Sequence, residues 1–397
     1  MIRISTESLG FEAGDDAPGA APPPRSRAKP RIVAPLATEA ADPVEAERRR
    51  GRGTVSNRSA RFGPVRRVTE DDGWGSLEAL APFKTTVTVE RPKTIITRNE
   101  SPDLSFDRSI NPYRGCEHGC VYCFARPTHA YMGLSSGLDF ESRLFVKLGA
   151  AERLEAELAA PGYKVRTIAI GTNTDPYQPI EREHRVMRSV LEVLARTGHP
   201  VGIVTKSALV TRDIDLLAPM AARGLVKVAL SVTTLDGTLA RTMEPRAAAP
   251  GRRLEAIRQL SEAGIPVVVM TAPLIPAVND PEIEAILEAA RARGAQEAGY
   301  VMLRLPLEVR DLFREWLLTH FPDRLRHVMG LVQSFRDGKD NDSTWGRRMT
   351  GTGPYADMIG RRFAIAAARL GFPKTRMRLR TDLFAPPTPV GGQMSLF

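Results

Sequence analysis

An α/β fold organised on a parallel sheet is predicted by three features of this 397-residue chain: short apolar runs, amphipathic helices between them, and glycines that close those helices. The runs fall at 109–113, 167–171, 201–205, 226–232, 266–271 and 300–305, and their apolar character suits strands buried on both faces. Val186, Val190, Leu191 and Leu194 share a helical face ahead of Gly198. Leu254, Ile257 and Leu260 do so ahead of Gly264, and Ile283, Ile286, Leu287 and Ala290 ahead of Gly294. The alternation amounts to six βα units with right-handed crossovers. Periodicity leaves an incomplete barrel and a flat doubly wound sheet both open.

An apolar fraction of 42% can build a core, and charges interrupt every apolar run before it reaches the length of a membrane span. The formal charge of +10 favours a polyanionic partner such as nucleic acid. An odd cysteine count, with no apolar signal segment at 1–10, fits a reducing cytoplasm and weighs against a disulfide.

Residues 1–67 are rich in Ala, Pro, Arg and acidic side chains without apolar periodicity, which predicts a disordered arm. Its Arg48, Arg49, Arg50, Arg52, Arg58, Arg61, Arg66 and Arg67 either follow a phosphate backbone or keep the arm solvated. An extension over 68–105 contains β-branched runs between Lys84 and Arg98 suited to short strands, and the βα units occupy 106–320.

Cys116, Cys120 and Cys123 fall within eight residues, with Gly115 and Gly119 freeing the backbone to turn three sulfurs toward one point. Zinc, completed by His118 or His129, satisfies these donors. A [4Fe–4S] cluster does so too, leaving one iron without a protein ligand and therefore open to a small molecule. The Cys-x3-Cys-x2-Cys spacing, with Tyr122 before the last cysteine, resembles the signature of the radical S-adenosylmethionine (SAM) superfamily. The resemblance implies a partial (β/α)6 TIM-like barrel with its chemistry at the carboxyl ends of the strands. It also implies SAM chelated to the open iron, its reductive cleavage to a 5′-deoxyadenosyl radical, and reduced flavodoxin or ferredoxin as electron donor.

Strand-end residues gain meaning from the same resemblance. Thr172, Asn173 and Asp175 follow the second strand, where the superfamily contacts the SAM amino group; a turn and helix cap is the other reading of this loop. Lys206 after the third strand and Ser231 at the fourth resemble the SAM-holding residues of the spore-photoproduct-lyase-like branch. So does Glu244-Pro245-Arg246 ahead of the helix with Arg253. The branch pattern puts Arg246 and Thr271 beside the cofactor and Tyr122 beside its adenine.

The resemblance spans 106–306 and implies hydrogen abstraction from nucleic acid, as in the repair of a DNA lesion. Modification of RNA or of a protein side chain is one alternative, and a non-catalytic, zinc-containing accessory protein that binds nucleic acid is another. The lyase branch uses a further cysteine to return hydrogen to the repaired thymine, and this chain has none to spare. Tyr177 on the second strand-end loop, or Tyr131, is the replacement the sequence offers.

Past Phe321 the periodic pattern weakens, and 321–384 reads as a basic extension. Within it Trp345 lies among Arg336, Lys339, Arg347 and Arg348, placed either to stack on a base or to anchor the segment. Lys374, Arg376, Arg378 and Arg380 alternate with less polar residues, and as a strand would offer a row of phosphate contacts. Residues 385–397 form a Pro- and Gly-rich linker ending in Gln393-Met394-Ser395-Leu396-Phe397. The pentapeptide resembles those by which bacterial repair proteins bind the DNA polymerase sliding clamp, Leu396 and Phe397 filling a pocket and Gln393 its rim. Folding back on the chain's own barrel is the alternative.

Overall fold

The computed structural model of the chain describes residues 43–63 and 82–387. Among them the strands are β1 (Thr86–Glu90), β2 (Ile96–Arg98), β3 (Arg108–Ile110), β4 (Tyr113–Arg114), β5 (Arg143–Lys147), β6 (Ile168–Ile170), β7 (Val201–Thr205), β8 (Val226–Ser231), β9 (Val267–Leu274) and β10 (Glu297–Met302). The parallel set runs β3-β6-β7-β8-β9-β10, and β2 adds antiparallel to the β3 edge. Because β10 and β2 are not joined, the sheet is the partial (β/α)6 barrel expected. Ile168, Ala169 and Ile170 of β6 are all buried, as an unbroken apolar run requires when helices cover one face and the barrel interior the other.

Helices fill the crossovers where the periodicity placed them, at Val186–Arg196, Pro250–Glu262 and Ile283–Arg291, burying the predicted faces. The last strand begins earlier than its apolar run: Glu297 opens β10, and the chain leaves the ladder after Met302. The two strands read between 84 and 98 separate into different sheets. β2 guards the barrel edge, while β1 joins β5 and β4 in a small second sheet. The cysteine loop is slung between β4 and β5 of that sheet.

Three expectations need correction. Residues 43–63, assigned by composition to a disordered arm, pack against the barrel with Arg52, Thr54, Val55 and Ser56 buried; residues 1–42 and 64–67 of that arm lie outside the described residues. The stretch past Phe321 is not aperiodic. Leu325–Ser334 and Pro354–Arg369 are helices, the second burying Ala356, Ile359, Phe363 and Ala366 and pairing Arg362 with Glu284 of the helix Ile283–Arg291.

Finally, the segment with Lys374, Arg376, Arg378 and Arg380 is not a strand. It crosses the amino-terminal rim of the barrel, with Met377 N–H donating to Glu297, Arg380 N–H to Gly224 O and Ala385 N–H to Thr197 O. That rim is opposite the one where the cysteines lie. The terminal Gln393, Leu396 and Phe397 fall outside the described residues. No helix among the described residues is long and apolar enough to cross a membrane.

Candidate active site at the cysteine loop

The loop is held by a buried cation that composition does not single out. Arg126, fully buried, donates to Cys120 O (2.9 Å), Gly119 O (3.0 Å), Ser136 O (3.1 Å) and Gly137 O (3.0 Å), and pairs with Glu141 at 2.6 Å. Four main-chain carbonyls converging on one guanidinium fix the turn that presents the cysteines. Glu141 also accepts from Gly53 N–H (2.8 Å), Thr54 N–H (3.0 Å) and Thr54 Oγ1 (3.0 Å), so the strap 43–63 and the cysteine loop share one buried carboxylate. Their backbones touch: a Cβ on Gly53 would lie 1.8 Å from Gly119 O, which only glycine avoids.

The arginines of the strap are mostly engaged. Arg52 donates to Glu141 O (2.6 Å) and Phe83 O (2.9 Å), Arg58 pairs with Glu315 (2.5 Å), and Arg61 with Glu308 (3.3 Å). They bind the protein itself, which narrows the expected phosphate-binding row.

The loop after β6 is stapled to the cysteines. Thr174 Oγ1 (2.6 Å) and Gln178 Nε2 (3.2 Å) donate to Gly115 O, and Gln178 Oε1 accepts from Glu117 N–H (2.8 Å). Asp175 accepts from Thr205 Oγ1 (2.7 Å), Tyr177 N–H (2.9 Å) and Lys206 N–H (2.8 Å), with His118 Nδ1 at 3.3 Å. Burial opposes its charge, yet His118 and these donors prevail and hold the carboxyl at about 2. It therefore ties β6 to β7, with its lone pairs occupied by the protein. Thr172 Oγ1 meets Asn111 (3.2 Å), whereas the Asn173 side chain has no hydrogen bond to a described residue.

At the mouth, Lys206 Nζ sits 5.8 Å from the Tyr122 ring centroid and makes no ion pair with a described residue. Tyr122 donates to buried Glu244, which also accepts from Thr233 Oγ1 (2.7 Å) and pairs with Arg253. Arg253 in turn donates to Ser231 O at 3.1 Å. Burial pushes the Glu244 carboxyl up, and Arg253 opposes the shift. Thr233 and Glu244 thus join Tyr122, Lys206 and Ser231 at the strand ends.

Two expected contacts lie elsewhere. Thr271 is fully buried and donates to Gly299 O (3.3 Å) within the sheet, and Arg246 pairs with Glu117 (2.9 Å) and lines a cavity with His118 and Ser207. Tyr177 is also fully buried, its hydroxyl beside Asp213 without good hydrogen-bond geometry and Arg212 6.0 Å from its ring. The residue also lines a cavity with His118, Ser207, Arg212 and Arg246. Tyr131 is 75% exposed.

Burial raises all three thiols; Lys206 and Arg253 oppose the shift at Cys120, and Arg126 and Lys206 at Cys123. Soft donors in an enclosed loop, with cations close by to favour thiolates, fit an iron–sulfur cluster. The two histidines offered for zinc are placed differently: His129 Nδ1 is buried without a hydrogen-bond partner, whereas His118 Nδ1 faces Asp175. His129 Nε2 donates to Arg143 O (2.9 Å), with burial pushing its ring down to about 4, and His118 is turned to Asp175.

Residues 110–290 match the family model of the Radical SAM superfamily. The chain's cofactors are those of the superfamily, a [4Fe–4S] cluster and SAM. An uncharacterized protein of Mycobacterium tuberculosis is 38% identical over 222 residues, 55% of this chain and 65% of that protein. One of Methanocaldococcus jannaschii is 30% identical over 173 residues, 44% of this chain and 62% of the other. The matches thus span less than two thirds of each relative. Spore photoproduct lyase complexed with dinucleoside spore photoproduct shares the fold, with a TM-score of 0.53 at 13% identity over 72% of this chain and 79% of that one.

Proposed function

We propose that this chain applies radical SAM chemistry to nucleic acid, with a lesion in DNA as substrate, as in the lyase whose fold it shares. The observation that carries the substrate class is a rim of exposed aromatic side chains interleaved with arginine. Phe124, next to Cys123, is 48% exposed under Arg304, Tyr131 stacks on exposed Phe62 (5.4 Å), and Trp345 is 58% exposed. Such surfaces suit bases that stack and phosphates that pair.

When bound, the cluster and SAM supply reductive cleavage and hydrogen abstraction. The chain's residues position and enclose them. Cys116, Cys120 and Cys123 ligate the cluster, and Lys206 receives the SAM carboxylate beside Tyr122. The free side chain of Asn173 takes the amino group in place of Asp175. The strap 43–63 covers the back of the loop and excludes water. With the Tyr177 hydroxyl buried and Tyr131 75% exposed, returning hydrogen to substrate falls to Tyr131. Reduced flavodoxin or ferredoxin is the electron source in this reading, and Gln393, Leu396 and Phe397 dock on the sliding clamp.

Anaerobic reconstitution should give brown protein with about four irons that converts SAM to 5′-deoxyadenosine under dithionite. With deuterium-labelled, ultraviolet-irradiated DNA, label should appear in the 5′-deoxyadenosine. Transfer only from RNA or from protein would move the substrate class. Cross-linking to the clamp should vanish when residues 393–397 are deleted.

A further inference from the structure

The loop 336–353 folds over the carboxyl end of β10: Met302 N–H donates to Met349 O (2.8 Å), Leu305 N–H to Asn341 Oδ1 (3.2 Å), and Arg336 to Leu303 O (2.6 Å). Between these contacts, two residues past β10, stands Arg304. Its guanidinium lies 5.1 Å from the Phe124 ring centroid and touches Met349 Sδ at 3.9 Å. It forms no ion pair with a described residue, and its Nε is shielded from solvent without a hydrogen-bond partner. The nearby acid, Asp103, is taken by Arg348 through two bonds (2.7 and 2.5 Å) and by Gly346 N–H (3.2 Å). A half-buried cation whose nearest acid is already paired costs stability; burial and Arg348 push its pKa down, and Asp103 opposes them. Its guanidinium stands over an aromatic ring whose residue adjoins Cys123.

We propose that Arg304 and Phe124 form a receiving site for a phosphodiester of the DNA strand, holding the nucleotide at the mouth beside the cluster loop. The guanidinium offers paired N–H donors to two phosphate oxygens, and the ring stands behind it. Lys206, deeper and over Tyr122, is a separate cation suited to the carboxylate of SAM, so the two anions are received at different places. This assignment rests on the nucleic-acid reading above and names the group by which the strand is held.

The test is fluorescence anisotropy of a short labelled oligothymidylate on the reconstituted holoenzyme, alongside SAM binding followed by the change in the reduced cluster's electron paramagnetic resonance. Arg304→Met should weaken oligonucleotide binding about tenfold and lower the salt slope by roughly 0.7, the single-strand value for one phosphate contact. SAM binding should be unchanged, and Tm unchanged or higher because a half-buried charge whose nearest acid is already paired has gone. Arg304→Lys should recover part of the affinity, and Phe124→Ala should weaken it without changing the slope. Equal oligonucleotide binding by wild type and Arg304→Met overturns the site while leaving the nucleic-acid reading intact. Loss of SAM binding with oligonucleotide binding unchanged also overturns it, since the anion is then the cofactor's carboxylate. A wild-type holoenzyme that binds no oligonucleotide overturns both readings.

Discussion

Two segments cross the ends of the barrel, and they are held by different chemistry. The strap 43–63 lies against the cysteine loop and is fastened by charge: Glu141 joins Arg126 to Gly53 and Thr54, and Glu315 joins Ser56 (2.6 Å) to Arg58. The strap 377–385 spans the opposite rim on main-chain bonds to Gly224 and Thr197, on Phe384, 5.3 Å from His199, and on one ion pair of the barrel, Lys227 with Glu297. Glu297 accepts from Met377 N–H (2.7 Å) and Lys227 donates to Met377 O (3.0 Å). The difference teaches where precision is needed. Buried charge pairs fix register strictly, because a misaligned pair leaves an uncompensated ion. They are denser beside the cysteine loop, and the far rim relies on one such pair with main-chain bonds and ring packing.

The largest effect should come from the proposed cluster ligands. Cys120→Ala should abolish iron retention and 5′-deoxyadenosine formation while the circular dichroism of the fold survives, since Cys120 makes no side-chain hydrogen bond and the loop hangs from Arg126. Collapse of the fold instead would place the loop among the structural elements.

Glu141→Gln comes next. It leaves Arg126 buried without its carboxylate, and removing one partner of such a pair costs about 3–5 kcal/mol. Denaturant unfolding should show that loss together with slower cluster assembly. Intact stability would mean that the four carbonyl contacts suffice and that the upper strap is not fastened by charge.

pH offers a sharper separation of the two straps. Burial pushes His199 down to about 4, against an ordinary 6.5, and the ring sits neutral between Tyr163 (2.9 Å) and Pro200 O (3.0 Å). The unfolded chain takes up that proton first as pH falls. The stabilisation is therefore fully present above 6.5 and is lost on going down to about 4, by roughly 3 kcal/mol. His199→Asn should flatten this part of the unfolding profile. Glu315, raised by burial, acts with the opposite sign: its contribution is present below the ordinary carboxylate range and lost as pH rises through its folded value. Acid should loosen the lower strap while favouring the upper one. Limited proteolysis at pH 4.5 and 7.5 would show which end opens first.

The sequence already carried much of this, for physical reasons that differ by region. Parallel strands and helices repeat one apolar pattern, and clustered thiols admit few readings, so β6 to β9 and the three cysteines were legible. Tyr122 stood out by its place before Cys123, and Lys206 as a residue just past β7 that the family resemblance singles out. Arg126 and Glu141 were not legible, because an Arg near cysteines and a Glu on a short helix carry no local mark of pairing. The strap was hidden more deeply: its polar composition reads as solvated, and the groups that bury it lie 88 and 259 residues away. Asp175 was seen but not its role, since Asn-Thr-Asp turns look alike whether they face a ligand or bind their neighbours. In the helix Pro354–Arg369, Ala356, Ile359, Phe363 and Ala366 keep helical spacing; the arginines among them masked it.

Tyr177→Phe tests a smaller effect. The hydroxyl is buried and poorly bonded, so its removal should change stability by under about 1 kcal/mol and leave hydrogen return to substrate intact. Loss of product with SAM cleavage preserved would restore Tyr177 as the donor.

The smallest effect is expected on the far rim. Arg378 is exposed beside the lower strap, at the amino-terminal ends of the strands and across the barrel from the cysteines. If the strand is held at the mouth, Arg378→Ala should leave stability within about 0.5 kcal/mol, as surface substitutions do. The salt dependence of oligonucleotide binding should not move either. A slope lowered by about 0.7–0.9 would reveal one phosphate contact there, meaning that DNA wraps from the mouth to the opposite rim. The lower strap would then be part of the binding surface, and the contrast between a precise upper end and a permissive lower one would reduce to a difference in packing.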